Sequence, residues 1–329
     1  MNILVVGGAG YVGSHMVHYL TSTTKHRVVV LDNLAKGHKG AVSGVELVVG
    51  DFGDASLVSS VCHDHAITAV MHFGADSLVG ESVLDPARYY ENNVVKGKRL
   101  IDAARDAGVR FVIFSSTAAV YGEPLHIPIC EDDPTRPTNP YGCTKLAFEG
   151  LLESYRLAYG LEYTCLRYFN AAGASHDGSI GEVHDPETHL IPLVLQVALG
   201  HRAAIHIYGA DYPTPDGTCV RDYIHVTDLA AAHLLALERL AAGESSGVFN
   251  LGNGQGFSVQ EVIGVCREVT QHPIPTVTAP RRAGDPAVLV ASAERARAVL
   301  GWNPVLPDLR RIVETAWAWH RAHPRGYRG

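Results

Sequence analysis

The sequence predicts an α/β protein with a doubly wound parallel sheet in its first half and a smaller α/β region in its second. In the first half, five short apolar runs alternate with helical patterns, and such alternation builds a parallel sheet with its ligand at the carboxyl ends of the strands. From about residue 170 the alternation breaks and prolines and glycines become frequent. We therefore predict a first domain over residues 1–169, with return segments near 221–252, and a second over 170–329. VFNLGNG, at 248–254, is predicted as a strand that returns to the main sheet.

Composition excludes several classes of protein. The 329 residues carry a net charge of −7 and no basic run, which argues against a nucleic-acid partner. No apolar stretch approaches the roughly 18 residues of a membrane span, and the start of the chain lacks the basic segment of a secretory signal. The six cysteines are scattered, as in proteins of a reducing compartment. We expect a cytoplasmic protein without a membrane partner.

The first strand–turn–helix unit, NILVVGGAGYVGSHMVHYL, predicts a dinucleotide site. Gly7, Gly10 and Gly13 are spaced by three, which suits a tight turn, the close approach of a pyrophosphate and the packing of helix on strand. The helix then directs free N–H groups and its positive dipole end at the anion. About twenty residues on, Asp32 ends the second strand, where a carboxylate binds the adenosine ribose. This carboxylate repels a 2′-phosphate, so a Rossmann-type domain that binds NAD is predicted.

The next three strands add residues to the same rim of the sheet. The third is predicted to end at Asp51 and Phe52, beside the adenine, and the fourth, AVMHFGA, runs into Gly74 and Ala75. The fifth, RFVIFSSTAAVYG, ends near Thr117. Because parallel strands bring their carboxyl ends to one edge, these residues are expected to surround one ligand.

A helix is predicted to start within PYGCTK, directly after the fifth strand. Asn139 can cap it, and Pro140 suits the first helical position. Tyr141 and Lys145 are four residues apart and therefore share one helix face. Taken alone, this spacing is more typical of an ordinary helix surface. Tyr141 and Thr117 are both expected at the rim of the cofactor site, which leaves a phenol that loses a proton as the alternative.

Together these residues resemble the extended short-chain dehydrogenase/reductase family, and within it the UDP-glucose 4-epimerase branch. The broader resemblance rests on the glycine motif, Asp32-Asn33, SST at 115–117 and Tyr141-x-x-x-Lys145. The narrower one rests on stretches that run along the whole chain: GESVLDPARYYENNV, YFNAAGA, HLIP, YPTPDGTCVRDYIHV and APRRAGDPA, with HPRGY near the end. Such collinear agreement is more specific than any single motif.

The resemblance implies an isomerase that interconverts UDP-glucose and UDP-galactose through a 4-keto-sugar that turns over in the site. The N-acetylated pair stays open as a further substrate. Tyr141 would be the base, and because its ordinary pKa is about 10, Lys145 and the positive nicotinamide would have to favour the phenolate. Thr117, usually Ser in the family, would bind the same sugar oxygen. NAD would be regenerated in each cycle and stay bound.

The residue patterns and the resemblance together give two sets of binding residues. Those for NAD are Gly7, Gly10, Tyr11, Val12, Gly13, Asp32, Asn33, Asp51, Phe52, Phe73, Gly74, Ala75, Asn92, Thr117, Tyr141, Lys145 and Phe169. Those for the UDP-sugar are Asn170, His189, Leu190, His206, Tyr208, Arg221, Arg282, Asp285 and Leu289. Leu289 falls where the family limits room around the sugar C2 substituent. Ser77 stands where the family often has Lys.

Three other functions stay open at this point. A nucleotide-sugar 4,6-dehydratase starts with the same oxidation but uses an Asp-Glu pair after the Thr, where this chain has Ala118 and Ala119. A UDP-hexuronate 4-epimerase would need the same catalytic trio and an extra cation for the carboxylate. A catalytically silent NAD-binding regulator commonly lacks the Tyr or the Lys, and this chain has both.

Assembly and metal binding give two last expectations. Two long helical patterns, about 85–107 and 140–159, carry apolar residues on more than one face, and the surplus predicts a homodimer. These residues are Tyr89, Val94, Val95, Leu100, Ile101, Leu146, Phe148, Leu151, Leu152 and Tyr155. The resemblance implies a four-helix bundle at that interface. His63-Asp64-His65, in a predicted helix-to-strand loop, has no third ligand nearby, so no metal site is expected.

Overall fold

A computed structural model describes residues 1–282 and 285–327 of the chain. Its main sheet has seven parallel strands: β1 (Asn2–Val6), β2 (Arg27–Asp32), β3 (Glu46–Val49), β4 (Ala69–His72), β5 (Phe111–Thr117), β6 (Glu162–Tyr168) and β10 (Gly247–Leu251). The spatial order is β10-β6-β5-β4-β1-β2-β3. The chain therefore changes direction between β1 and β4, and ligands of such sheets bind outside the carboxyl ends of the strands at that point. The predicted Rossmann-type fold is confirmed.

Helices cover both faces of this sheet. They are α1 (Tyr11–Thr23), α2 (Ala55–Asp64), α3 (Val79–Leu84), α4 (Pro86–Tyr90), α5 (Gly97–Asp106), α6 (Pro140–Tyr159) and α8 (Val226–Ala241). Successive side chains of a strand point to opposite faces, so Ile3 and Val5 pack with residues of α1 and α8. Leu4 and Val6 pack with residues of α2, α5 and α6. This double cover explains why the strands are apolar on both faces.

Three predicted boundaries differ from the structure. The third strand ends at Val49 instead of Asp51–Phe52, because Asp51 starts a turn in which its carboxylate accepts the Gly53 N–H at 2.7 Å. The helix expected over 85–107 consists of α4, a π-helical segment (Glu91–Lys96) and α5 in succession. His63 and Asp64 belong to the last turn of α2 instead of a loop.

The second half of the chain forms smaller sheets beside the carboxyl ends of the main strands. β9 (Val220–His225) pairs with β7 (Asn170–Ala172), β11 (Gly256–Ser258) and β13 (Val288–Leu289), while β8 (Ile205–Tyr208) pairs with β12 (Thr276–Ala279). Their apolar cover comes from α7 (Leu190–Ala198), α9 (Val259–Thr270) and α10 (Leu309–Ala322). Between these elements the chain returns to the main sheet through α8 and β10, which confirms the strand predicted at 248–254.

Fewer of the named apolar residues on the two long helical regions are left at the surface than predicted. Half of the ten named residues lie in the protein's own core: Tyr89, Leu100, Ile101, Phe148 and Leu152. Val95, also one of the ten, and three further apolar side chains of these regions are between 38% and 71% exposed: Tyr90, Leu157 and Tyr159. Within the described residues, the structure contains no helix with the length and hydropathy needed to cross a membrane.

A buried ion pair fixes α6 on the sheet. The Glu149 Oε2 atom accepts from Nη2 of Arg167 at 2.5 Å, and both side chains are 7% exposed. Glu149 Oε1 also accepts from the Ser116 hydroxyl at 2.5 Å. Arg167 donates in addition to the Tyr121 hydroxyl, which donates to Oδ1 of Asn250. This network connects α6 with β5, β6 and β10.

Replacement of Glu149 by Gln should therefore destabilise the fold strongly, because it leaves the Arg167 charge buried without a partner. We expect a loss of about 3–5 kcal/mol in the free energy of unfolding. Glu153→Gln on the same helix is the matched control, since its ion pair with Arg156 is largely solvated and should cost well under about 1 kcal/mol. Urea unfolding followed by circular dichroism measures both, and equal effects of the two changes would contradict the prediction.

Candidate active site

The predicted site residues line a continuous groove along the carboxyl ends of the main strands. Its dinucleotide end and its central cavity share Gly7, Gly10, Lys36 and Phe73, among other residues. The central cavity and a third cavity, enclosed by the smaller sheets, share residues including Asn170 and Glu182. One extended ligand, or two ligands end to end, can therefore span the whole groove.

The glycine turn between β1 and α1 forms the floor of the groove. Gly7 has a φ of +74°, and a Cβ atom there would lie 2.5 Å from the Gly74 nitrogen. A Cβ at Gly13 would lie 2.2 Å from the Gly7 oxygen, so these two glycines are required by close packing. At Gly10 a Cβ would meet only the Gly7 oxygen, at 3.4 Å. Gly10 therefore leaves the amino end of α1 accessible, and its free N–H groups suit a pyrophosphate.

Asp32 lies at the dinucleotide end with two of its acceptor positions already used. Its Oδ2 accepts from the Ala9 N–H at 2.9 Å, and its Oδ1 accepts from the Leu34 N–H at 2.8 Å. Each carboxylate oxygen can accept a second hydrogen bond, so the ribose hydroxyls of a dinucleotide still find acceptors there. The remaining predicted residues of this end are Asn33, Phe52, Gly74, Ala75 and Asn92.

Asp51 is absent from the described lining of the groove. Its Oδ2 accepts from the Lys96 ammonium at 2.5 Å, and this ion pair lies beside the wall instead of in it. Lys96 itself lines the dinucleotide end. Asp51 was predicted to lie beside the adenine because the third strand was expected to continue to Asp51 and Phe52, whereas it ends at Val49.

Tyr141, Lys145 and Thr117 meet in the central cavity. The Asn139 side chain caps α6 by accepting from the Gly142 N–H at 2.9 Å, so Tyr141 stands in the first turn as predicted. Lys145 lies one turn further and is buried, with its Nζ donating to the Ser115 carbonyl at 2.9 Å.

Burial opposes charge on both residues of this pair. It lowers the pKa of Lys145 to about 7, against the raising effect of Glu149. It also raises the pKa of Tyr141, while the Thr117 hydroxyl bound to the phenol lowers it. Burial thus reduces, in the nucleotide-free protein, the charge with which Lys145 is expected to favour the Tyr141 phenolate, and that expectation stays a prediction. A cation brought by a ligand would add to the effect.

The third cavity gathers the residues predicted to hold the nucleotide. It is lined by Asn170, His189, Leu190, His206, Tyr208, Arg221, Arg282 and Asp285. Asp285 lies 3.4 Å from Arg221 Nη2 and 3.5 Å from Arg282 Nε, which holds both guanidinium groups at the cavity. Arg282 also covers the ring of Tyr208, at 4.5 Å from the centroid. Two converging arginines suit a diphosphate.

The other predicted residues lie around the central cavity or behind it. Tyr11, Val12, Ser77 and Phe169 line this cavity, with the Tyr11 hydroxyl donating to the Gly173 carbonyl at 2.7 Å. Leu289 is not among the described lining residues. It is partly buried against a small apolar cluster of Val120, Tyr121 and Ile129, which Phe169 also borders.

Sequence reasoning missed several residues of the central cavity. These are Lys36, Ser115, Tyr168, Glu182 and His184. Ser115 and Tyr168 are bound to each other through their hydroxyls, at the ends of neighbouring strands. The SST run could have indicated Ser115. Lys36, Glu182 and His184 lie in loops, where no periodicity marks which side chains face a ligand.

Comparison with known proteins gives consistent matches over the full chain. The model of the NAD dependent epimerase/dehydratase family matches residues 3–252. A UDP-glucose 4-epimerase of Halalkalibacterium halodurans is 58% identical over 327 residues, which are 99% of this chain and 98% of the relative. A crystal structure of a UDP-glucose 4-epimerase is 52% identical, with a TM-score of 0.98 and 100% of both chains covered. The UDP-glucose 4-epimerase of Bifidobacterium longum, solved in complex with NAD+ and UDP, is 37% identical, with a TM-score of 0.95 and coverage of 99% and 100%.

The lowered pKa of Lys145 predicts how stability depends on pH in the nucleotide-free protein. Burial lowers this pKa to about 7, whereas a lysine in the unfolded chain titrates near 10.4. Between these values the unfolded state binds more protons, so stability rises with pH. From pH 7 to pH 9 the wild type should gain about 2 kcal/mol relative to Lys145→Met, which does not titrate.

Urea unfolding at several pH values measures this difference, and other titrating groups cancel between the two proteins. Lys98→Met is the control, because the Lys98 side chain is 55% exposed, and it should show no comparable change. A constant difference between wild type and Lys145→Met across this range would show that Lys145 keeps its ordinary pKa.

Proposed function

This chain belongs to the NAD dependent epimerase/dehydratase family, and we propose that it is a UDP-glucose 4-epimerase that interconverts UDP-glucose and UDP-galactose. The observation that carries the proposal is the position of Tyr141, Thr117 and Lys145. They lie between a groove suited to a dinucleotide and a cavity with two arginines. The relatives and solved structures named above are UDP-glucose 4-epimerases, which supports the same activity.

NAD fits the dinucleotide end of the groove. The accessible amino end of α1 would take the pyrophosphate, and Asp32 would take the adenosine ribose and disfavour a 2′-phosphate. Phe52 and Asn92 would border the adenine side. Lys145 would hold the nicotinamide ribose close to Tyr141. When bound, the nicotinamide supplies a hydride acceptor that returns the hydride in the same cycle.

The protein's own groups handle the proton. Tyr141 accepts the proton of the sugar C4 hydroxyl as the C4 hydrogen leaves as hydride, and it returns the proton when the 4-keto-sugar is reduced on its other face. Thr117 binds the same oxygen and orients it. Because burial raises the pKa of Tyr141, the phenolate depends on positive charge nearby. Proton transfer is therefore coupled to the oxidised state of the cofactor.

The third cavity would hold the UDP part of the substrate. Arg221 and Arg282 would bind the two phosphates, and Asp285, already placed between them, would reach the uridine ribose. His189, Leu190, His206 and Tyr208 would contact the uridine, and Asn170 the phosphates. The sugar would then lie in the central cavity beside Tyr141.

The alternatives account for fewer of these features. A 4,6-dehydratase needs an acid and a base next to Thr117, where Ala118 and Ala119 can transfer no proton. A hexuronate epimerase needs a further cation at the sugar; Lys36 lines the central cavity, but its Nζ already donates to the Asp185 carbonyl at 2.9 Å. A catalytically silent regulator commonly lacks the Tyr or the Lys, and Tyr141 and Lys145 both line the central cavity here. Side-by-side assays with UDP-galactose, UDP-N-acetylgalactosamine and UDP-galacturonate decide among the substrates.

We also propose a homodimer in the cytoplasm that acts in galactose metabolism. The six cysteines are all free, as a reducing compartment favours. Tyr90 and Val95 are 44% and 38% exposed on the helical region before α5. Exposed apolar residues on neighbouring helices suit a helix-to-helix interface.

Tyr141→Phe tests the proposed activity. The change removes the proton acceptor aimed at the C4 hydroxyl, so turnover should fall by ~10²–10⁴ or more. UDP should still bind, because its contacts lie in the third cavity. Tyr159→Phe is the matched control, as Tyr159 is 59% exposed at the other end of α6, and its turnover should equal that of the wild type. A coupled assay of UDP-glucose formation and calorimetry with UDP provide the two measurements. Near wild-type turnover in Tyr141→Phe would contradict the proposal.

Light scattering tests the dimer. We expect twice the chain mass of 35.3 kDa at micromolar concentration. The double change Tyr90→Asp and Val95→Asp should give the monomer, because buried, unpaired carboxylates oppose association. Leu125→Asp, at a 66% exposed position on the loop before α6, is the control and should leave the mass unchanged. A wild-type protein of monomer mass would overturn the assignment.

A further inference from the structure

The segment of residues 181–189 carries a second cluster of chemically active side chains. Glu182, His184, Glu187 and His189 each place one potential ligand atom within 4.8 Å of the others. The proposed epimerase reaction uses only His189, as a uridine contact. The cluster lies where the central cavity meets the nucleotide cavity, since Glu182 and His189 line both.

The histidine–carboxylate distances within the cluster are close to those between neighbouring ligands of one metal ion. His184 Nδ1 lies 3.3 Å from Glu182 Oε1 and 3.5 Å from Glu187 Oε2. His189 Nδ1 lies 3.0 Å from the same Glu182 oxygen and 3.0 Å from the other Glu187 oxygen, Oε1. With metal–ligand distances near 2.1 Å, neighbouring ligands of a tetrahedral Zn²⁺ site are about 3.4 Å apart. One ligand atom from each of the four residues lies within 4.8 Å of the others, so a small adjustment of the side chains would let them share one ion.

Two of these atoms lack the hydrogen bonds that burial demands. Glu182 Oε1 and His184 Nδ1 are buried and form no hydrogen bond within the described residues. The Glu182 side chain is only 4% exposed, and an unsatisfied buried carboxylate oxygen is costly. The two atoms approach each other closely without the alignment of a hydrogen bond. Such an arrangement is expected when the lone pairs of the Glu182 oxygen and the His184 nitrogen both point at one ion between them.

We propose that Glu182, His184, Glu187 and His189 form a binding site for one divalent transition-metal ion of the Zn²⁺ type. Two imidazoles and two carboxylates are a ligand set that suits Zn²⁺ and related ions better than Mg²⁺ or Ca²⁺. Four protein ligands complete a tetrahedral shell, so the site is structural and leaves no position for catalysis. The sequence analysis expected no metal site, and this proposal departs from that expectation.

Neighbouring residues orient the ligands and connect the cluster to the rest of the groove. Glu187 Oε1 also accepts the N–H groups of Thr188 and His189, both at 2.8 Å, which orients this carboxylate. The segment is docked on the first domain through Lys36, whose ammonium donates to the Asp185 carbonyl. The ring of Tyr11, on the glycine turn, contacts His184 edge-on at 6.1 Å between centroids. An ion in the cluster would fix the wall shared by the cofactor and substrate cavities.

A metal-free ion-pair cluster is the competing arrangement. Burial lowers the pKa of His184, but the two carboxylates more than offset this and raise it to about 9. The same balance raises the pKa of His189 to about 10. A proton and a metal ion compete for the same Nδ1 atoms. The two arrangements therefore exclude each other, and metal binding distinguishes them directly.

The test uses the untagged, full-length protein, since a histidine tag would bind metal itself. Zn²⁺ binding is measured by competition with a chromogenic chelator, and Co²⁺ replaces Zn²⁺ for visible spectroscopy. We expect one Zn²⁺ per chain, a higher melting temperature with Zn²⁺, and the intense visible bands of tetrahedral Co²⁺. Glu182→Gln and His184→Gln should each weaken Zn²⁺ binding by more than ~100-fold. This exceeds the loss of affinity expected when a residue that only orients a metal ligand is replaced. His126→Gln is the control, since this 74% exposed histidine also lies beside a carboxylate, Asp133.

The outcomes are independent of epimerase activity, so this proposal and the proposed function fail separately. No stoichiometric Zn²⁺ uptake by the wild type would overturn the site in favour of the protonated cluster. Equal uptake by wild type and both cluster variants would place the ion elsewhere and also overturn it. Should either variant fail to fold by circular dichroism, the wild-type Co²⁺ spectrum decides. Weak octahedral bands would then overturn the tetrahedral site, and intense tetrahedral bands would support it.

Discussion

The salt bridge between Glu149 and Arg167 determines where α6 lies, and the rest of the site depends on α6. The pair connects this helix to β6, and the hydroxyl of Ser116 adds β5. Lys145 stands one turn and Tyr141 two turns earlier on the same helix, so the position of the candidate base relative to Thr117 is set by a contact outside the cavity. Burial makes such a contact specific, because a mispositioned helix would leave a full charge without a partner. The ion pair thus acts as a positional constraint as much as a source of stability.

The cavity that this constraint creates is unfavourable to charge. Lys145 is held in an apolar environment where its pKa falls, and Tyr141 beside it is harder to ionise than in water. A lysine ammonium normally stabilises a neighbouring phenolate, but in this cavity burial favours the neutral form of both side chains. A cationic ligand would therefore favour the phenolate, so the fraction of Tyr141 available as a base would rise when that ligand is in place.

The sequence predicted the first half of the fold and the central residues well, because each rests on a strong local signal. Gly7, Gly10 and Gly13 follow from the turn and the close packing they permit, and Tyr141 follows from the Asn139–Pro140 helix start. Where local signals are weak, the prediction was wrong or silent. Asp51 was misplaced since nothing in VELVVGDFGD marks the last paired residue of β3. The Glu182–His189 segment was overlooked because its members come together through loop geometry, which has no period to detect.

The return of the chain to the main sheet through α8 and β10 has a consequence for shortened forms of the protein. A fragment that ended at residue 169 would keep the glycine turn, Asp32 and Tyr141, yet β6 would become an edge strand with its N–H and C=O groups unpaired. The apolar sheet residues that α8 covers, such as Ile113 and Leu166, would be open to water. Such a fragment would offer a template for edge-to-edge association. Proteolytic trimming or a premature stop in the second half would therefore produce an aggregating species instead of a smaller cofactor-binding protein.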